Sequence, residues 1–381
     1  MNMKYLAVVL ALFAPVVRAE RWSVQYFFDQ DHDTLMIEDL AFPSALRGIA
    51  VGTVHDELDP GKKPRYISLV TSDGGEHWTE APLKDHPRSL FFLNESTGWL
   101  VTDSALWFTE ESGRTWSKIG EQKKPDRKLG LTPPGGLITR VWFVNAQHGF
   151  AVGLQKTILE SLDGGKTWKP VEEAAKPDAK PGHAVYSQIW MDGKAGVIFG
   201  TSIPPRPDDP HLPTWMEPER AVKRKQVPTL TLLVQTLDGG ETWHSSTAPL
   251  FGDVIAARLA GFDGLAVFSY SEGFEFPSDV YHLDMRTGAT KRVFAEKDRR
   301  VTDCAAFAGS YGFLAGVEPP GKLNSLPVPG KVKILQSSDL NKWEEMDVDY
   351  KAVARSVVLA GPDRGHQWAG TDTGFILHLV P

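Results

Sequence analysis

The sequence predicts an all-β protein: a seven-bladed β-propeller with four-stranded blades, its ring closed by the N-terminal strand pairing into the last blade. Three observations predict it. A short Asp-Gly-Gly turn motif recurs along the chain, a strand–Gly–strand pattern occurs seven times, and the seventh unit is one strand short. Gly (35) and Pro (27) punctuate the 381 residues too densely for long helices, and helical periodicity never persists.

The turn motif is clearest as Ser72-Asp73-Gly74-Gly75-Glu76-His77-Trp78. It returns as Ser161-Leu162-Asp163-Gly164-Gly165-Lys166-Thr167-Trp168 and as Thr236-Leu237-Asp238-Gly239-Gly240-Glu241-Thr242-Trp243. Glu110-Glu111-Ser112-Gly113-Arg114-Thr115-Trp116 is a copy without the Asp, and Ser337-Ser338-Asp339-Leu340-Asn341-Lys342-Trp343 one without the glycines. The chemistry is that of a turn. Asp73, Asp163, Asp238 and Asp339 accept backbone N–H groups just ahead of them, the glycines take conformations that a β-carbon resists, and Trp78, Trp116, Trp168, Trp243 and Trp343 begin the next strand with a buried ring. A calcium or catalytic loop would need one copy, not several; the repetition assigns these residues to structure, and no metal site or cofactor is expected.

Upstream lies the second pattern, an apolar strand, a Gly and another apolar strand. Its first strands start near 39, 89, 140, 187, 256, 303 and 355, so that successive units are 50, 51, 47, 69, 47 and 52 residues apart. That spacing accommodates four strands of about five residues each. The seventh unit ends at Phe375-Ile376-Leu377-His378-Leu379-Val380-Pro381, without room for a fourth strand. Arg21-Trp22-Ser23-Val24 resembles the segments that follow the boxes, Trp116-Ser117-Lys118-Ile119 and Trp168-Lys169-Pro170-Val171, and is predicted to complete the last blade and remove its open edge.

Residues 1–19 read as a signal peptide: Lys4 gives the positive start, Leu6 to Val17 the apolar stretch, and Ala19 the small residue at the cut. The stretch is short of the roughly 20 residues of a membrane span. Residues 20–381 then form the single propeller domain, periplasmic or secreted, with no membrane span, and taken to be a monomer. The formal charge is −7; loss of Lys4 and Arg18 makes it −7 − 2 = −9, against nucleic-acid binding. Cys304 is the one cysteine, which excludes an intrachain disulfide and reads as a small core residue.

If the strands run A to D from the centre outward, the boxes occupy C–D turns, and the B–C and D–A connections share the other face. The insertions fall on that face: 55–65, 201–229, 271–278 and 317–331, joined by the connection 120–139. The fourth-unit insertion, about 201–229, is the candidate binding site. It holds Arg206, Asp208, Asp209, His211, Trp215, Arg220 and Arg224, an aromatic among charges suited to a sugar ring or an acidic segment of a partner. The Asp208, Asp209, His211 spacing matches no strong metal motif.

At the boxes the chain resembles the Asp-box (BNR) repeat superfamily, shared by sialidases, other exo-acting propeller glycosidases, sortilin-type receptors and the photosystem II assembly factors of plants and cyanobacteria. Residues 141–168 most resemble the assembly-factor unit. The resemblance implies an exported, non-catalytic binding or assembly propeller that recognises a protein or a glycan through its loop face. The alternative it leaves open is an exo-acting glycosidase. The chain has no Arg-Ile-Pro segment of the sialidase kind; Ser202-Ile203-Pro204-Pro205-Arg206-Pro207 has the order wrong. Other propeller glycosidases need two carboxylates at a set separation, and the sequence does not place them.

Overall fold

The computed structural model describes residues 20–122, 137–202, 229–270, 274–319 and 328–381. The proposed signal peptide lies outside them, as do 203–228 and with them Arg206, Asp208, Asp209, His211, Trp215, Arg220 and Arg224.

Seven antiparallel sheets follow one another. Blade 1 is Asp33–Ala41, Gly48–Asp56, Arg65–Thr71 and Thr79–Leu83, strands A to D in order. The A strands of the next six blades are Pro87–Phe92, Ile138–Phe143, Ala184–Asp192, Asp253–Ala260, Arg300–Phe307 and Val357–Asp363. Each A strand contacts the A strand of the next blade, and the seventh returns to the first, so strand A is innermost. The boxes therefore close C–D turns on one face, and the insertions emerge on the other. Closure is as predicted: Arg21–Phe27 pairs antiparallel with Phe375–Val380, Trp22 opposite Leu379. The same strand also bridges Asp347–Val348 of blade 6 in parallel, which the sequence did not suggest.

In blades 1 to 3 the glycine that opens the B strand makes room for an aromatic ring. A β-carbon on Gly48, Gly98 or Gly149 would stand 2.3–2.6 Å from the rings of Phe42, Phe92 and Phe143 at the ends of the A strands. Two of those rings stack on an indole from the preceding blade, Phe143 on Trp99 and Phe42 on Trp368, each with centroids 3.7 Å apart. The indole N–H then reaches a box carbonyl of the following blade: Trp99 Nε1 donates to Gly164 O at 3.0 Å, and Trp368 Nε1 to Gly74 O at 3.2 Å. The box thus latches neighbouring blades as well as turning the chain. These strand-B indoles are the deeply buried ones, at 0 and 1% exposure. The box indoles Trp78, Trp116, Trp168 and Trp343 are only half-buried and stand just ahead of strand D; Trp243 alone is buried. The expectation that the box ring anchors the core is corrected to that extent, because the strand-B side chain already fills the space between sheets.

Within the box, Asp163 Oδ1 accepts the Thr167 N–H at 2.8 Å, Asp73 that of His77 at 3.0 Å and Asp238 that of Thr242 at 2.9 Å. The second glycine has φ near +90°, and a β-carbon on Gly240 would lie 2.6 Å from Phe150 of the preceding blade. Degenerate copies keep the geometry by other means. Ser112 and Leu340 take positive φ in place of glycine. Glu111 accepts from Thr115 Oγ1 at 2.6 Å where the Asp is lost. Blade 5, without a box, turns on Asp284, which accepts the N–H groups of Arg286 and Thr287.

Two predictions follow from this construction. Trp22 is fully buried edge-on to Phe313, with Nε1 against Met346 Sδ. Trp22→Ala is expected to lower the unfolding free energy by about 3–5 kcal/mol, and deletion of residues 20–28 to lower the melting temperature further; an unchanged melting temperature after the deletion would refute closure. The second concerns acid. Hydrogen bonds from His77 and Thr167 hold the Asp73 and Asp163 carboxyls at about 2, below the ordinary 3.8. A depressed value stabilises the fold above the unfolded pKa and loses that contribution as pH falls through the folded one, here between about pH 4 and 2. The groups are exposed, so solvent screening keeps the effect modest. The triple variant Asp73→Asn, Asp163→Asn, Asp238→Asn should be less stable at neutral pH and flatter than the native protein across that window; urea midpoints at pH 7, 4 and 2.5 measure it, and parallel curves would count against the box carboxylates.

Candidate binding channel

Six of the seven A strands carry a bulge at the same level, between Ile37 and Asp39, Pro87 and Ser89, Ile138 and Arg140, Tyr186 and Gln188, Val254 and Ala256, and Val301 and Asp303. A bulge twists its strand and re-aims the next side chains. It also frees groups that stitch each blade to the next. Asp39 Oδ2 accepts the Leu90 N–H at 2.9 Å, Ser89 Oγ donates to Thr139 O at 2.9 Å, and Thr302 Oγ1 donates to Val357 O at 2.9 Å.

Two residues past the bulge the blades present a half-ring of large side chains to the channel. Phe91 and Trp142 have centroids 4.8 Å apart, Trp142 and Trp190 4.6 Å, and the Arg258 guanidinium lies 4.6 Å over the Trp190 ring. Blades 7 and 1 place Ala360 and Ala41 opposite, which leaves a cavity of about 180 Å³. One level above, towards the insertion face, Arg140 lines both this cavity and a second depression walled by Glu38, His86, Arg88 and Ser187. His86 Nε2 is 3.5 Å from Glu38, its ring stands edge-on to Tyr66, and Arg88 pairs with Asp103. None of these residues was singled out from the sequence. The bulge that sets them in one ring is a property of pairing register and has no residue signature.

Two carboxylates of the inner strands, Asp303 and Asp39, are firmly held. Asp303, 3% exposed, accepts the N–H of Cys304 and of Leu359, each at 2.9 Å, and pairs with Arg258 at 2.9 Å. Burial pushes its carboxyl up, and Arg258 with the two amides pulls it back. Asp39 accepts the N–H of Leu40 and Leu90 and lies 3.6 Å from Arg140. These are the bonds of blade-locking residues. Cys304 is fully buried, as expected, and burial pushes its thiol up, away from reactivity. Asp73, Glu76 and His77 bring ligand-type atoms within 4.8 Å of one another, but Asp73 is already held by His77 and Thr71 in the turn.

Removal of Asp303 tests the structural assignment. Asp303→Ala strands the Arg258 guanidinium and should cost about 3–5 kcal/mol, whereas Asp303→Ala with Arg258→Met should cost less than Asp303→Ala alone. Urea unfolding of the two variants distinguishes them; equal losses would mean that the pair does not act as a unit.

The sequence profile described as photosynthesis system II assembly factor YCF48 matches residues 133–204. The photosystem II assembly lipoprotein Ycf48 of Prochlorococcus marinus is 25% identical over 76% of this chain and 80% of its own length. The chloroplastic photosystem II stability/assembly factor HCF136 of Arabidopsis thaliana is 24% identical over 59% of this chain, which spans only 49% of that relative. Among solved structures, YCF48 bound to D1 peptide superposes with a TM-score of 0.55 at 17% identity, over 93% of this chain and 99% of its own, a likeness of fold alone. In sequence and fold the chain is a seven-bladed Asp-box β-propeller similar to the photosystem II assembly factors.

Proposed function

We propose that the protein is an extracytoplasmic, non-catalytic propeller that holds a segment of a partner protein across its insertion face, over the channel mouth. The observation that carries this reading is the mouth itself. The common bulge sets Glu38, Arg88, Arg140 and Ser187 around one depression, a ring of donors and acceptors of mixed charge above an aromatic half-ring. Such a ring suits the polar backbone and occasional charged side chain of an extended polypeptide. The assembly-factor relatives support a protein over a glycan, and one solved structure of that kind is YCF48 bound to D1 peptide. The insertion 203–228 remains part of the proposal: its roots, Ser202 and Thr229, sit at the ends of paired B and C strands on this same face.

A photo-reactive residue at position 139 should crosslink a polypeptide from the native envelope fraction, and one at Leu237, exposed on the box face of blade 4, should not. Replacing 205–227 by a short Gly-Ser link should leave the fold intact, since Ala195–Ser202 and Thr229–Thr236 keep their pairing, and should weaken the same partner at least about tenfold, or about 1.4 kcal/mol. Crosslinking from Leu237 alone would overturn the reading, and full-strength binding without the insertion would move the site into the channel.

A further inference from the structure

A second concavity lies on the insertion face at the outer part of blade 5, away from the channel. It measures about 340 Å³ and is walled by aromatic rings on the end of the blade 4 D strand, the B–C connection of blade 5 and the strands beside it. Phe274 is the central wall: its ring stacks on Tyr270 at 4.9 Å and 27°, and meets Phe251 at 5.4 Å. Tyr281 and Phe268 pair edge-to-face at 5.3 Å on the inner side.

At the floor is a buried carboxylate. Asp279 is 5% exposed and is the second residue of the C strand Ser278–Asp284. Its Oδ2 accepts the Tyr270 hydroxyl at 3.1 Å and lies 3.4 Å from the guanidinium of Arg292. Its Oδ1 is buried with no hydrogen-bond partner among the described residues. Arg292 does not close the site, because it is more than half exposed and leans towards Phe276, 5.9 Å from the ring. Glu275 at the rim is drawn outward to Lys297 at 3.0 Å, and the nearby Arg300 is turned to the Tyr270 carbonyl at 3.5 Å.

A buried carboxylate oxygen without a donor is costly, by more than the net worth of an ordinary hydrogen bond. Nothing in the turn chemistry of blade 5 requires it, since the strand would pair equally well with a neutral residue there. The surrounding ring faces carry partial negative charge and attract cations. Both features ask for one ligand: a positively charged group that pairs with the Asp279 carboxylate and slides an apolar stem between the rings. We propose that this cleft takes a lysine or arginine side chain of a partner polypeptide, with Asp279 as the acceptor and Tyr270, Phe274 and Phe251 as its walls. The formal charge of −7 favours approach of a basic segment. The choice of a polypeptide as the source rests on the binding-platform reading, whereas the cleft's own chemistry does not.

Small capped amides test it on the full chain, so that its failure stays separate from any failure of the channel reading. N-acetyl-lysine and N-acetyl-arginine methylamides are titrated into protein with isotope-labelled phenylalanine and tyrosine, beside the norleucine and glutamate amides and tetramethylammonium. The basic amides should shift the Tyr270, Phe274 and Tyr281 resonances. The norleucine amide, which lacks the charge, and tetramethylammonium, which lacks the N–H, should bind at least about tenfold more weakly. Asp279→Asn and Phe274→Ala should each weaken the lysine amide about tenfold or more and leave the melting temperature close to the native value. Equal binding of norleucine would make the cleft merely apolar, and equal binding of tetramethylammonium would remove the acceptor role of Asp279. Preference for the glutamate amide would make Arg292 the recognising group. Any of these, or no binding at all, overturns the proposal.

Discussion

A ring of sheets has no stable partial form at its seam, because an unclosed last blade leaves a row of unpaired backbone groups and one apolar face without a neighbour. In this protein the two ends of the chain meet to prevent that. Arg21–Phe27 supplies the fourth strand beside Phe375–Val380, and Trp22 carries the contact onward into blade 6 through Phe313 and Met346. The parallel bridge to Asp347–Val348 and the bond from the Asp349 N–H to the Trp22 carbonyl at 2.8 Å add a second attachment. Closure fixes the angle between blades, and that angle in turn sets how near the A strands stand to one another around the channel. The entropy of joining distant ends is offset once, at the seam, for the benefit of every blade interface.

Between blades the recurring lock is aromatic. A strand-B indole stacks on the phenylalanine that ends the next A strand and donates its N–H to a box glycine carbonyl, as Trp99 does to Phe143 and Gly164. The box is therefore tied into the sheet packing, and this explains why its copies decay so unevenly. What the fold requires is an acceptor at the head of the turn, a left-handed residue after it and a free carbonyl for the neighbour. Leu340 meets the second requirement without glycine, and its side chain is buried against the blade 5 core.

The legible and illegible parts of the fold divide along the same line. Blade number, strand order and closure were readable because each rests on a pattern that repeats: the box, the Gly after each apolar strand, the missing strand at one end and its twin at the other. The turn of blade 5 was readable from Gly288 but its acceptor was not, because Asp284 stands four residues ahead of that glycine where a box Asp stands directly before its own. The channel was not readable either. Arg258 stands where Trp190, Trp142 and Phe91 stand in the three preceding blades, yet its neighbours in sequence, Ala257 and Leu259, give no sign of it. Only the common bulge aligns them, and a bulge is a property of pairing register rather than of residue type. Charge and proline concentrate in the fourth insertion and point to it, whereas the fifth-unit insertion 271–278 is legible only as a longer connection, because the chemistry beside it is carried by single side chains spread from Phe251 to Arg292.

Two buried aspartates show how structure and recognition separate within one fold. Asp303 has both oxygens taken by backbone amides and by Arg258, and its bonds to Leu359 and Arg258 join blade 6 to the blades on either side. Removing such a group can only loosen the ring. Asp279 sits at a similarly low exposure but keeps one oxygen without a partner, beside an aromatic cleft on the face whose connections vary in length. A propeller tolerates that arrangement because the C strand of a blade is already held on both sides, by B and by D. Stability supplied by closure and by the indole locks leaves the outer end of a blade free to keep a polar group unsatisfied, and an unsatisfied polar group in a formed cleft is what a ligand can satisfy.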